Sequence, residues 1–262
     1  MSRLTARIVG LITDFGDKDS YFGELKAAFF AGTQLGHIID ISHKVAIGDV
    51  KSCSYLLSRV ALVFPDDSIF VAIVDPSVGS DRQAVIIRSG KRILIGPDNG
   101  VFARSIRWDD DFEVRVIGWE DIDHNRRSNT FHGRDLFVPV AAQIVEGKDF
   151  SEIGTFGQLK NTFCPATPDR TNTGFEGTVL YIDTFGNIAT DIPNQTSGKI
   201  KLGLFDEIEY SESYSSHPNN ELFWLHGSDG CIEIALNCGH AGKKAGVLPG
   251  DPVEIYEILS IR

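Results

Sequence analysis

Hydrophobic positions along the first half of the chain come in short unbroken runs that end on turn residues or on aspartate. "RIVGLITD", "HIIDIS", "SIFVAIVD", "AVIIRSG" and "RILIGPD" are five such runs, rich in β-branched residues. Runs of this length predict strands, and near-continuous apolar strands are those buried on both faces of a sheet. Between some of them the apolar spacing changes to three and four. "FGELKAAFFAG" and "GDVKSCSYLLSRVALVF" read as helices, and "GRDLFVPVAAQIVEG" as a later one that ends on Gly147, a residue suited to a C-cap. Alternating strands and helices predict a mostly parallel sheet with helices on both sides.

That pattern breaks near residues 160–174. "KNTFCPATPDRTNTG" holds two prolines, several Thr and Asn, and no periodicity, the mark of a linker. Beyond it, "FEGTVLYIDTFGNIATDI", "ELFWLHG", "CIEIALN" and "DPVEIYEIL" are short strands set apart by Gly, Asn and Asp turns, as in a small barrel or sandwich. The expected architecture is α/β. A mostly parallel α/β sandwich domain covers residues 1–165, and a β-barrel-like domain follows over residues 166–262.

Composition narrows the function classes. The 262 residues, 42% hydrophobic and 23% charged, are ordinary for a folded protein of about two domains. A formal net charge of −11 argues against a nucleic-acid backbone as partner and would suit a cationic small molecule. No apolar run approaches the roughly 20 residues of a membrane span. "RIVGLIT" is too short for a signal-peptide core and runs into Asp14 without a small-residue cleavage site, so a cytoplasmic protein is expected. The four cysteines form no Cys-x-x-Cys pair and read as reduced structural thiols. The seven histidines make no His-Glu-x-x-His motif, so no metal site is expected. Trp108, Trp119 and Trp224 read as packing residues.

Asp14, Asp40, Asp75 and Asp98 each stand where an apolar strand gives out. Ligands of open parallel sheets bind beyond those strand ends, although aspartate also caps turns and helices there. "VDPSVGSDR" (74–82) returns Arg82 toward Asp75 on one loop, either as a structural ion pair or to keep an active carboxylate ionised and oriented. In "TFHGRDLF" (130–137), His132 precedes a helix whose positive end would favour the neutral imidazole. Asp14-Phe15-Gly16 matches the magnesium-holding tripeptide of protein kinases. The glycine-rich loop, the lysine strand and the His-Arg-Asp loop that should accompany it are absent.

Taken in order, "LITDFGDKDSYFGELK", "IIDISH", "VDPSVGSDR", "GPDNGVF", "TFHGRDLF" and "IDTFGNIATDI" resemble the S-adenosylmethionine hydroxide adenosyltransferases, water-using relatives of the fluorinases and chlorinases. The resemblance spans nearly the whole chain; Ser77 departs from it, standing where glycine is expected after Asp-Pro. It implies an α/β domain, a β-barrel and a homotrimer, with each site between the first domain of one subunit and the second domain of a neighbour. It further implies hydrolysis of S-adenosyl-L-methionine to adenosine and L-methionine. S-adenosylmethionine would be substrate, with no cofactor. By the same resemblance Asp14 would grip the ribose hydroxyls, and Asp19 and Asp183 the methionine ammonium. Phe185 and Asn187 would contact adenine, Ser228 would lie near the methionine carboxylate, and Asp75, Arg82 and His132 would form the triad associated with water. Asp40, His43, Asp98 and Asn99 read mainly as strand-end architecture lining the cleft. Two other readings stay open: a halide-using adenosyltransferase making 5′-chloro-5′-deoxyadenosine, and a non-catalytic binder of S-adenosylmethionine or adenosine.

Overall fold

A computed structural model describes residues 7–106, 111–122, 127–161, 163, 165, 167–194 and 197–256. Trp108 and Cys164 lie outside the described residues. The chain divides into two compact units, Met1–Cys164 and Pro165–Arg262.

In the first unit the chain runs β1 (Ile8–Thr13), α1 (Tyr21–Gly32), β2 (His37–Ser42), α2 (Val50–Ala61), β3 (Ile69–Ile73), β4 (Ala84–Ser89) and β5 (Arg92–Pro97). It continues through α3 (Ala103–Ile106), β6 (Phe112–Ile117), α4 (Val138–Val145) and β7 (Thr155–Gly157). The strands form one sheet in the order β2-β1-β3-β5-β4-β6-β7. The first three of those pairings are parallel and the last three antiparallel. Only two residues, Gly90 and Lys91, separate β4 from β5, and Ser89 pairs with Arg92. A link so short makes a hairpin, because a parallel neighbour needs a crossover.

Alternate side chains of the central strands enter two cores. Val9 and Leu11 of β1 and Val71 and Ile73 of β3 pack with Leu25 and Phe29 of α1 and Val138 to Val145 of α4. Ile12, Phe70, Ala72 and Val74 pack on the opposite face with Cys53 and Leu57 of α2 and Phe102 and Ile106 around α3. Each fully buried Leu, Ile or Phe contributes about 1.5–3 kcal/mol of transfer free energy, so both sheet faces are anchored.

The second unit contains β8 (Asp169–Arg170), β9 (Gly174–Ile182), β10 (Ile188–Pro193), β11 (Lys199–Leu202) and β12 (Phe205–Tyr210). It ends with β13 (Leu222–His226), β14 (Cys231–Leu236), α5 (Ala241–Ala245) and β15 (Pro252–Tyr256). Strands β10-β14-β13-β12-β11-β15-β9 follow one another, and β9 pairs back onto β10. The result is a closed barrel of seven strands with β8 added to β9. Closure removes the open edges a small sheet would otherwise expose. Trp224 is buried in the barrel core and its indole N–H donates to the Gly198 carbonyl (3.1 Å).

Among the described residues, no helix is long and apolar enough to cross a membrane. Cys53 and Cys238 carry free thiols. Burial, followed by the negative charges of Asp14 and Asp49, pushes the Cys53 thiol far up, which leaves it inert.

Candidate active site

The neighbouring parallel strands β2, β1, β3 and β5 bring four carboxylates toward one edge of the sheet, each with its own partners. Asp98, just past β5 and almost fully buried, accepts the backbone N–H groups of Lys160 (2.8 Å) and Asn161 (3.3 Å). Asp40 lies inside β2, where Lys26 (2.5 Å) and His43 (3.1 Å) share its carboxylate. Both act as architecture. Asn99 does too: its amide donates to the Val74 carbonyl (2.7 Å), fixing the backbone one residue before Asp75. Asp14 and Asp75 are bonded within the neighbouring loops that follow β1 and β3.

Asp75 and Arg82 form an ion pair with both side chains about 5% exposed. Arg82 Nε donates to Oδ1 (3.1 Å) and Oδ2 (3.0 Å), and Nη2 donates to Oδ2 (2.5 Å). Ser77, the residue that departs from the expected glycine, adds its hydroxyl to Oδ1 (3.3 Å). The same Nη2 reaches His132 Nδ1 at 2.7 Å. A guanidinium can only donate, so Nδ1 is the acceptor and the neutral ring carries its proton on Nε2. Burial, and then the Arg82 charge, hold the His132 pKa below the usual histidine value, against weaker upward pulls from Asp75 and Asp135. The histidine is neutral, as the sequence suggested, but burial and the arginine are the causes, ahead of any helix dipole.

Local backbone chemistry brings these three side chains together. Gly79 turns the 74–82 loop with φ +83°, and a Cβ there would meet the Asn129 carbonyl at 2.8 Å. Only glycine combines that turn with so close an approach to the segment leading to His132. Gly133 also sits in a close approach, with helical backbone: a Cβ would lie 2.9 Å from the tip of the Ile73 side chain and 3.1 Å from that of Leu25. It lets His132 settle onto the end of β3. The helix expected to begin near Gly133 opens with one wide turn over Gly133–Phe137, closed by Val138 N–H donating to the Gly133 carbonyl, before α4 begins. Pro139 explains the wide turn: it has no N–H for the Asp135 carbonyl, and its ring would crowd that carbonyl in a regular helix.

Asp14 directly follows β1 and accepts the Gly48 N–H on Oδ2 (2.9 Å). Gly48 in turn lies against Pro76, so the Asp14 and Asp75 loops are neighbours. Phe15, Tyr21 and Phe131 pack edge to face at centroid distances of 5.6–5.9 Å, tying the Asp14 loop to the His132 segment. Asp19 is exposed on the loop before α1.

The remaining candidates belong to the barrel. Asp183 closes the β9–β10 turn: its Oδ1 accepts the N–H groups of Phe185 (2.9 Å) and Asn187 (2.9 Å), and the Asn187 amide lies 3.3 Å from Oδ2. Much of its hydrogen-bonding capacity therefore serves its own loop. Phe185, 78% exposed, lines a cavity of about 430 Å³ with Asn187, Tyr214, Asn237 and Cys238. Ser228 sits exposed in the β13–β14 turn.

Sequence reading missed three contributors. Tyr214 accepts from the Asn187 amide (3.2 Å) and donates to Glu233. Its only signal is an aromatic residue within the polar run "SESYSSHP". Trp119, expected to be packing, also sets its ring edge-on to His132 (5.4 Å). Ser77 contributes the hydroxyl on Asp75. Among the described residues, no group of three or more His, Cys, Asp or Glu could hold a metal ion.

Comparison with known proteins supplies the context. Residues 9–154 match the SAM hydroxide adenosyltransferase N-terminal domain, and residues 177–254 match its C-terminal domain. The chain is 29% identical over 255 residues to an (R)-S-adenosyl-L-methionine hydrolase from Salinispora arenicola, covering 94% of this chain and 97% of that one. It is 29% identical over 271 residues to one from Methanocaldococcus jannaschii, covering 95% of each. A fluorinase from Nocardia brasiliensis is 19% identical over 170 residues, 56% of this chain and 57% of that one. The crystal structure of an uncharacterized conserved protein from Thermotoga maritima superposes with a TM-score of 0.89 at 30% identity, covering 95% of this chain and all of that one.

Proposed function

The chain belongs to the SAM hydroxide adenosyltransferase family, and on that premise we propose that it hydrolyses S-adenosyl-L-methionine to adenosine and L-methionine. Water attacks the ribose C5′ in line with the sulfonium. The C5′–S bond breaks as the C5′–O bond forms, its electron pair stays on sulfur, and methionine departs as a neutral thioether. One proton is released from the attacking water. S-adenosylmethionine is the substrate and leaves as two products.

The observation that carries the mechanism is that Arg82 grips Asp75 and His132 at once. Arg82 is bonded to both carboxylate oxygens of Asp75 and to the one lone pair of the His132 ring. Protonating Nδ1 would set two donors face to face. We therefore assign the triad to holding and orienting the water, with the His132 Nε2–H as the group presented to it. A sulfonium leaving group needs no acid, and the water becomes acidic only as its bond to C5′ forms. Alignment and partial desolvation then supply most of the acceleration, and the proton leaves late.

Asp14 is assigned to the ribose hydroxyls, since a carboxylate accepts two hydroxyl donors at once. Asp19 and Asp183 are assigned to the methionine ammonium, and Ser228 to its carboxylate. Phe185 and Asn187 are assigned to adenine; their shared cavity supports that reading. The same family likeness supports a homotrimer whose sites are completed by a neighbouring subunit.

A product assay tests the whole reading. Purified protein incubated with S-adenosylmethionine, with and without high chloride, should yield adenosine and methionine in equal amounts, independent of chloride. A chloride-dependent chloronucleoside would overturn the nucleophile, and bound but unconverted ligand would overturn catalysis.

A further inference from the structure

We propose that the end of the sheet remote from Asp14 and Asp75 carries a second ligand site, built for a small phosphoryl polyanion. The β4–β5 hairpin and the carboxyl end of α4 enclose a cavity of about 240 Å³. Ile93 at its wall pairs with Ile69, the first residue of β3, whereas Asp75 follows the last. The cavity and the candidate active site thus lie at opposite ends of the same strand.

Five cations line the cavity: Arg7, Arg88, Lys91, Arg92 and Lys148. Two carboxylates, Asp67 and Asp149, oppose them, and Asp149 is engaged by the Ser151 N–H (2.8 Å) and hydroxyl (2.5 Å). A local excess of positive charge is unexpected on a chain of net charge −11. Partners already present absorb only part of it. Arg7 donates to the Ile144 carbonyl (2.9 Å) and Lys148 to the Gln143 amide oxygen (3.1 Å), both neutral acceptors. Lys91 pairs with Asp66 and Arg88 with Glu113 (2.6 Å each); the first pair is largely exposed and of the weak, exchangeable kind, and Arg88 also lies over the Phe150 ring (4.8 Å). The Nε–H of Arg92 is buried and has no hydrogen-bond partner among the described residues. That nitrogen is closed to solvent, so a ligand in the cavity would meet the rest of the Arg92 side chain and not this atom.

The chemistry selects the ligand class. Guanidinium forks match phosphate oxygens, and several cations around one cavity suit an anion with more than one charge. The cationic substrate assigned above and its products carry no such group, so this is not part of the hydrolytic site. Free pyrophosphate and the phosphate tail of a nucleoside triphosphate share the required chemistry.

Titration calorimetry at low salt, with saturating adenosine to fill the nucleoside site, tests the proposal. Inorganic pyrophosphate and ATP serve as separate probes against the wild type, Arg92→Gln and the half-exposed Lys148→Gln. Binding by the wild type, weakened about tenfold in either variant by loss of a charge-assisted bond, supports the site. Equal affinities for the two probes make the phosphates the recognised group, and tighter ATP adds its nucleoside. Absence of binding by both probes, or wild-type affinity in both variants, overturns the proposal.

Discussion

At the scale of single residues, the site depends on what each hydrogen-bonding atom is already doing. His132 has its Nδ1 lone pair on Arg82, which leaves Nε2–H as its free group. An amide nitrogen can partly replace that donor. His132→Gln should therefore keep more turnover than His132→Ala, which we expect to lose about 10²-fold or more in kcat. Equal, complete inactivation of both variants would instead make the ring a base. The depressed pKa also predicts a pH effect on stability. Between its folded pKa and the unfolded value of about 6.5, the unfolded chain binds the extra proton, so the contribution from His132 is complete above pH 6.5 and lost as pH falls through that window. Thermal melts of the wild type and His132→Gln should diverge at neutral pH and converge on acidification. Asp75→Ala would strand a buried arginine and cost about 3–5 kcal/mol of stability. A denaturant titration beside the activity assay separates that cost from chemistry.

At the scale of elements, two glycines and a proline do the assembling. Gly133→Ala would press a methyl group against Ile73 and Leu25 and push His132 off the end of β3. We expect about 1–3 kcal/mol of destabilisation and a fall in kcat larger than any change in KM. Unchanged kcat in a folded variant would show that the close approach does not position the histidine. Asp75 and Arg82 were legible as a pair because one loop holds both, seven residues apart. His132 lies fifty residues beyond Arg82, and only the family resemblance, not any local spacing, joins them in the sequence. The wide turn at Gly133–Phe137 escaped the helical reading because the apolar spacing of "GRDLFVPVAAQIV" runs straight through it. Pro139 was the clue that the backbone could not do the same.

At the scale of the whole molecule, the family likeness predicts a trimer, and light scattering on the eluted protein should return about three times 28.8 kDa. A monomer retaining full turnover would refute sites completed by a neighbour. The partly exposed edge strand β2, with Ile39 at 42% exposure, and the exposed Tyr21 and Phe30 of α1 offer apolar surface for such an assembly.

The sequence by itself determined the most apolar elements and the kind of chemistry, while β6, β7, β11 and β12 had no clear run of their own. Apolar runs ending in aspartate specify buried parallel strands, because period and burial are local properties of the chain. The six ordered motifs carried the likeness to the adenosyltransferases. Tertiary structure alone decided what each acid is bonded to. Asp98 and Asp40 look like Asp14 and Asp75 in the sequence, yet backbone N–H groups from residues 160 and 161 and a lysine from α1 occupy them. It also decided which nitrogen of His132 carries the proton. Both outcomes depend on partners distant in sequence, and hydrogen-bond satisfaction is set by whatever the fold brings within about 3 Å.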